Sequence, residues 1–129
     1  MNSGAVVADA SAMLAALKNE PFANLDPREL VGAAIGAVNL CEVLSKLHED
    51  GLSEAQAEAA VSAMDVRVVP FDQPQARIAA RLRLVTRHAG LSLGDRACLA
   101  LGERLGCSVV TADRAWAGLD LGVKIVLIR

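Results

Sequence analysis

Short apolar runs rich in β-branched residues alternate along this chain with longer stretches of helical periodicity, and that alternation leaves few folds open. Val6-Val7-Ala8, Val66–Val69, Ser108–Thr111 and Val123–Ile128 read as strands. Between them lie helical patterns. Asp9-Ala10-Ser11 offers N-cap oxygens for a helix through about Leu17. Ala37–Asp50 sets Val38, Cys41, Leu44, Leu47 and His48 at helical spacing and is stopped by Gly51. Ser53-Glu54-Ala55-Gln56 is a capping box opening a helix to about Met64, and Gln73–His88 and Ser92–Leu105 form two more, ended by Gly90 and Gly106. Pro21, Asn24, Asp26 and Pro27 make Asn19–Arg28 a loop, and a helical turn is expected at Arg114–Ala117. The order predicts an α/β fold whose sheet is parallel, has about four strands and is covered on both faces, with Val66–Val69 buried in it.

The 129 residues fit one domain, expected to span 1–129, because domains cluster at roughly 100–150 residues and no Pro/Gly/Ser-rich linker divides the chain. A hydrophobic fraction of 53% excludes disorder. Met1–Lys18 lacks the basic start and continuous apolar run of a secretory signal, so the chain is expected to be cytoplasmic. The most apolar stretch, Val31–Cys41, is far short of the ~20 residues of a membrane span, and no membrane association is expected. Cys41, Cys98 and Cys107 cannot all pair with one another and read as reduced packing residues; His48 and His88 read as isolated surface histidines. A net charge of −2 and a pI near 5.6 argue against a protein that coats nucleic acid by bulk electrostatics, and three aromatics, Phe22, Phe71 and Trp116, are too few for a base-stacking platform.

Four acids stand where an α/β fold puts chemistry. In open parallel sheets ligands bind at the carboxyl ends of the strands, and Asp9 and Asp113 each follow an apolar strand closely. Glu42 is a lone acid flanked by apolar residues on the Ala37–Asp50 helix, and Asp95 follows Ser92 at capping-box spacing. Each also has an ordinary structural role. Asp9 or Ser11 can cap the first helix, Glu42 can pair with Lys46, the Ser92–Asp95 spacing suits a capping box, and Asp113 can cap the turn after it.

Taken together and in order, the segments carrying these acids resemble the PIN-domain family, and the VapC-type toxins within it, over nearly the whole chain. Val7-Ala8-Asp9-Ala10-Ser11-Ala12 resembles the family's opening strand and first acid, and Asn39-Leu40-Cys41-Glu42-Val43 its helix-borne glutamate. Leu91-Ser92-Leu93-Gly94-Asp95-Arg96-Ala97-Cys98-Leu99-Ala100 resembles the third acidic segment and Thr111-Ala112-Asp113-Arg114-Ala115-Trp116 the fourth, these two being the most specific. One departure is Gly36, where many VapC-type chains carry a Ser or Thr that caps the glutamate helix.

The resemblance implies a three-layer α/β/α fold with a central parallel sheet of four to five strands. It implies that Asp9, Glu42, Asp95 and Asp113 converge to hold Mg²⁺ or Mn²⁺, supported by Ser11, Asn39 and Thr111. It further implies an endoribonuclease, the toxin of a type II toxin–antitoxin pair, which acts on RNA, forms a homodimer and is held inactive by a cognate antitoxin. Hard oxygen ligands suit these ions, which supply an activated water and neutralise charge on the phosphate. Arg96 and Arg114, next in sequence to two of the acids, are candidate phosphate contacts, and a solvated helix charge explains either one equally well. Three other readings stay open: a non-catalytic PIN-like module that binds RNA or protein, a structure-specific DNA nuclease, and a phosphoacceptor receiver domain. The receiver reading wants paired acids after the first strand, where Asp9 stands alone.

Overall fold

The computed structural model describes residues 5–129, so the first four residues of the expected 1–129 domain lie outside it. Five strands form one wholly parallel sheet in the order β3-β2-β1-β4-β5: β1 Val6–Ala8, β2 Ala34–Gly36, β3 Arg67–Val69, β4 Ser108–Thr111 and β5 Ile125–Leu127. The helices are α1 Ala10–Leu17, α2 Ala37–Glu49, α3 Glu54–Ser62, α4 Gln73–Thr86 and α5 Leu93–Leu105, with short 3₁₀ turns at Pro27–Leu30, Arg87–Ala89 and Arg114–Trp116.

Side chains that alternate along each strand feed two separate cores, which is why the central strands are apolar at nearly every position. Ala8, Ile35 and Val110 face α1, α2 and α3, packing with Met13, Leu30 and Val43. Val7, Ala34 and Val109 face the other way, toward Leu82 of α4, Leu99 and Leu101 of α5, and the fully buried Trp116. The result is the expected three-layer α/β/α fold. Gly106, at φ +64, stops α5 in the left-handed conformation its place in the sequence predicts. Among the described residues no helix is long and apolar enough to cross a membrane.

Two strand expectations need correction. β2 was not expected at all: Ala34-Ile35-Gly36 holds a single β-branched residue and runs without a break into α2, so its pattern merges with the helix that follows. Its small residues suit a strand buried on both faces. With β2 in the interior, the predicted buried strand Val66–Val69 becomes the edge strand Arg67–Val69, with Arg67 and Val68 exposed and Pro70 ending it. The loop expected to Arg28 gives way at Pro27 to a 3₁₀ turn capped by Asp26 and Glu29. Cys98 is buried as expected, whereas Cys41 faces solvent on α2, and His48 and His88 are exposed.

Candidate functional site

The chain leaves β1 toward β2 on one side of the sheet and reaches β4 on the other, so the carboxyl ends of β1 and β4 flank the point where the strand order reverses. A crevice is expected at such a point. Asp9 lies there, its backbone N–H continuing the β1–β4 ladder to Val110 O at 3.0 Å.

Asp9 is 4% exposed, and its carboxylate is surrounded by donors. Oδ1 accepts from Ala12 N at 2.8 Å and from Ser11 Oγ at 2.8 Å; Oδ2 accepts from Thr111 Oγ1 at 2.6 Å. Thr111 ends β4 and is fully buried, and its hydroxyl also accepts from Asp113 N at 3.0 Å. Ser11 Oγ accepts from Ala112 N at 2.9 Å. The two hydroxyls therefore tie the start of α1 to the end of β4 through one carboxylate. Burial nevertheless dominates: with a smaller contribution from the charge of Asp95, and against the lowering effect of these hydrogen bonds, it leaves the Asp9 carboxyl raised from 3.8 to about 6.

Glu42 reaches the same region from α2. Asn39, buried one turn earlier, donates Nδ2 to Glu42 Oε1 at 2.9 Å and to the carbonyl of Gly94 at 3.0 Å, joining α2 to the start of α5. Asn39 Oδ1 is buried without a partner. Gly36 caps α2 without a side-chain hydrogen bond, as its sequence predicts.

Asp95 sits in the first turn of α5 and forms the predicted capping box: Ser92 N donates to Asp95 Oδ2 at 2.9 Å, and Asp95 N donates to Ser92 Oγ at 3.1 Å. Beneath these acids lies the Cys98 thiol, which burial first and then the charges of Asp9, Asp95 and Glu42 push well above its usual value. Asp113 is exposed and caps the Arg114–Trp116 turn, accepting from Ala115 N at 2.9 Å. Arg114 is exposed beside it. Arg96 is half-buried and turns toward α4, donating Nη1 to Ala79 O at 2.9 Å while its Nε has no partner.

Among the described residues no three His, Cys, Asp or Glu side chains stand close enough together to hold a metal ion as they are. Asp95 and Asp113 each use one carboxylate oxygen in a cap. The donor set is nevertheless one of hard carboxylate oxygens, and the buried Asp9 carboxylate is a group whose charge a divalent cation would offset; these residues fit Mg²⁺ or Mn²⁺. Gly94 contributes to the site in a way that sequence reasoning missed. A Cβ there would come within 2.7 Å of the Glu42 carboxyl carbon, and a glycine carries no signal of its own until its neighbour is known.

No curated protein sequence is significantly similar to the chain. Among solved structures it is similar to VapBC-5 of Mycobacterium tuberculosis, a member of the VapBC family of toxin–antitoxin systems, at 27% identity and a TM-score of 0.65, with 98% of each chain covered. It is also similar to the DNA-bound VapBC of Salmonella typhimurium, at 18% identity and a TM-score of 0.74, covering 96% of this chain and 98% of that one. A third similar structure is VapC20 of Mycobacterium tuberculosis, a sarcin–ricin loop cleaving toxin, at 19% identity and a TM-score of 0.65, covering 90% of this chain and 97% of that one. The family model for the PIN domain matches residues 6–121, taking in β1 to β4, α5 and all four acids, and the chain belongs to that family.

Proposed function

We propose that this protein is a divalent-metal-dependent endoribonuclease, the toxin of a type II toxin–antitoxin pair, cleaving RNA phosphodiester bonds. The observation that carries the reading is Asp9. A carboxylate buried at the switch point of the sheet, held by Ser11, Thr111 and Ala12 N, with its carboxyl raised to about 6, is a costly arrangement that structural capping does not require. Membership of the PIN domain family and the likeness to toxin–antitoxin proteins support the same reading.

Asp9, Glu42, Asp95 and Asp113 would hold Mg²⁺ or Mn²⁺, which when bound supplies an activated water and neutralises charge developing on the phosphate. Ser11 and Thr111 fix the Asp9 oxygens so that the carboxylate need not reorganise, and Asn39 fixes Glu42. Arg114, exposed next to Asp113, is the stronger candidate of the two arginines for a phosphate contact, since the Arg96 guanidinium is engaged by α4. The likeness to toxin–antitoxin proteins supports RNA as substrate, a homodimer and a cognate antitoxin that covers the acids; VapC20, of similar fold, is a sarcin–ricin loop cleaving toxin.

The separation of the carboxylates favours one other reading, a PIN domain that binds without turnover. Incubating a structured-RNA pool with the protein and Mn²⁺ or Mg²⁺, with and without chelator, separates the two. Metal-dependent cutting that is lost in Asp9→Asn and Asp95→Asn supports the nuclease. Cutting that survives both substitutions refutes the acid assignment, and RNA retained uncut in the presence of metal supports the binding module.

A further inference from the structure

Gly94 lies in the first turn of α5 with an ordinary helical backbone, so nothing in its own conformation calls for glycine. Glycine is among the least favoured residues in a helix, and alanine would serve α5 better. What occupies the space of the missing side chain is the carboxylate of Glu42. A Cβ at position 94 would lie 2.7 Å from Glu42 Cδ and 2.8 Å from Oε1, and nearer still to Oε2. Real Cβ atoms do not approach other atoms so closely, and the three nearest atoms to that position all belong to the Glu42 carboxylate. Asn39 holds the pair together, bonded at once to Glu42 Oε1 and Gly94 O. Glu42 has no other hydrogen-bond or ion-pair partner among the described residues, and its side chain is exposed on α2.

We propose that Gly94 is a positioning residue for Glu42: the absent side chain leaves a slot at the start of α5 into which the carboxylate fits, beside Asp95. This rests on the reading of Glu42 as a metal-holding acid. The obstructing atoms are the far end of a flexible side chain, so a methyl group at 94 displaces the carboxylate and leaves the backbone in place. The fold is spared and the site is opened. Gly102 of the same helix contrasts with it, because a Cβ there meets the Val109 side chain, within the sheet, and the Cys107 carbonyl.

The test uses the full chain, with Mn²⁺ as probe. Gly94→Ala is expected to fold with an unchanged or higher melting temperature, to bind Mn²⁺ at least tenfold more weakly, and to shift the Asn39 side-chain amide resonance in the metal-free protein. In a Glu42→Asp background, whose shorter carboxylate stops short of position 94, adding Gly94→Ala is expected to change Mn²⁺ affinity less than twofold. Independent, multiplying losses overturn the proposal, as does Mn²⁺ affinity in Gly94→Ala within twofold of wild type. A Gly94→Ala chain that fails to fold overturns it too, because a movable carboxylate would have yielded. The metal reading fails separately: Mn²⁺ affinity indifferent to Asp9→Asn refutes it, while the Asn39 resonance still decides whether Gly94 positions Glu42.

Discussion

Replacing Asp9 with Asn removes a charge and keeps the shape, and the structure sets both sides of the balance. Burial raises the carboxyl from 3.8 to about 6. At about 1.4 kcal/mol per pH unit, ionising it in the folded protein costs about 3 kcal/mol relative to the unfolded chain. The sign follows from the raised value: the folded state holds the proton more tightly, so the contribution is fully favourable below about pH 4 and is lost as pH rises through about 6. Asn retains an oxygen for Ala12 N but weakens the 2.6 Å bond from Thr111, a loss of about 1–2 kcal/mol. At pH 8 without metal, Asp9→Asn should therefore be more stable by about 1–2 kcal/mol, or roughly 3–6 °C in melting temperature. At pH 4.5, where the wild-type carboxyl is largely protonated, the gain should vanish. Thermal melts by circular dichroism in chelator across pH 4.5–8 measure the difference between the two proteins. An equal loss of stability at both ends of that range would refute the reasoning and leave Asp9 a helix cap only.

Mg²⁺ or Mn²⁺ at 100 times its dissociation constant should stabilise the wild type by about 2.7 kcal/mol at pH 8, and Asp9→Asn much less; equal shifts in a melting assay would place the ion elsewhere. Gly36→Ser supplies the cap that α2 lacks, its Cβ falling 3.3 Å from the unpartnered Asn39 Oδ1, so a rise of roughly 1 °C is expected; a fall would mean that crowding outweighs the cap. Gly102→Ala forces a methyl group against Val109 in a central strand and should cost about 1–3 kcal/mol, read as a lowered denaturation midpoint. An unchanged midpoint would show that α5 shifts freely on the sheet.

The layers of the fold were legible because β1 and β4 are flanked by turn chemistry and carry Val at successive positions, a pattern that only a strand buried on both faces needs. β2 was not, since a three-residue strand made of Ala, Ile and Gly next to a helix has no period of its own to display. Its omission misplaced β3: without another strand to fill the interior, Val66–Val69 is naturally read as a buried strand, and its exposed Arg67 counts for little against Val66, Val68 and Val69. Sheet order is a tertiary property that local patterns cannot carry. The same limit hid Gly94, whose meaning lies in a residue on another helix.

For the acids, cap and ligand are not exclusive readings, because one carboxylate has room for both roles. Asp9 caps α1, Asp95 completes its capping box, and Asp113 caps the turn after β4. A carboxylate offers about four lone-pair directions, and a cap uses one or two. Asp95 Oδ1 and Asp113 Oδ2 keep theirs free of hydrogen-bond partners among the described residues. A cap fixes the acid at the mouth of the sheet without consuming it. What separates Asp9 from an ordinary cap is its cost, since exposed caps stabilise helices while this one is buried deeply enough to hold its proton to about pH 6. Residue spacing reports the cap, and only burial reports the cost, so the sequence could point to Asp9 but could not show that it is strained. A relief of that strain by a divalent cation, absent when Asp9 is neutral, is the physical signature that distinguishes a metal-holding PIN domain from one that has kept only the fold.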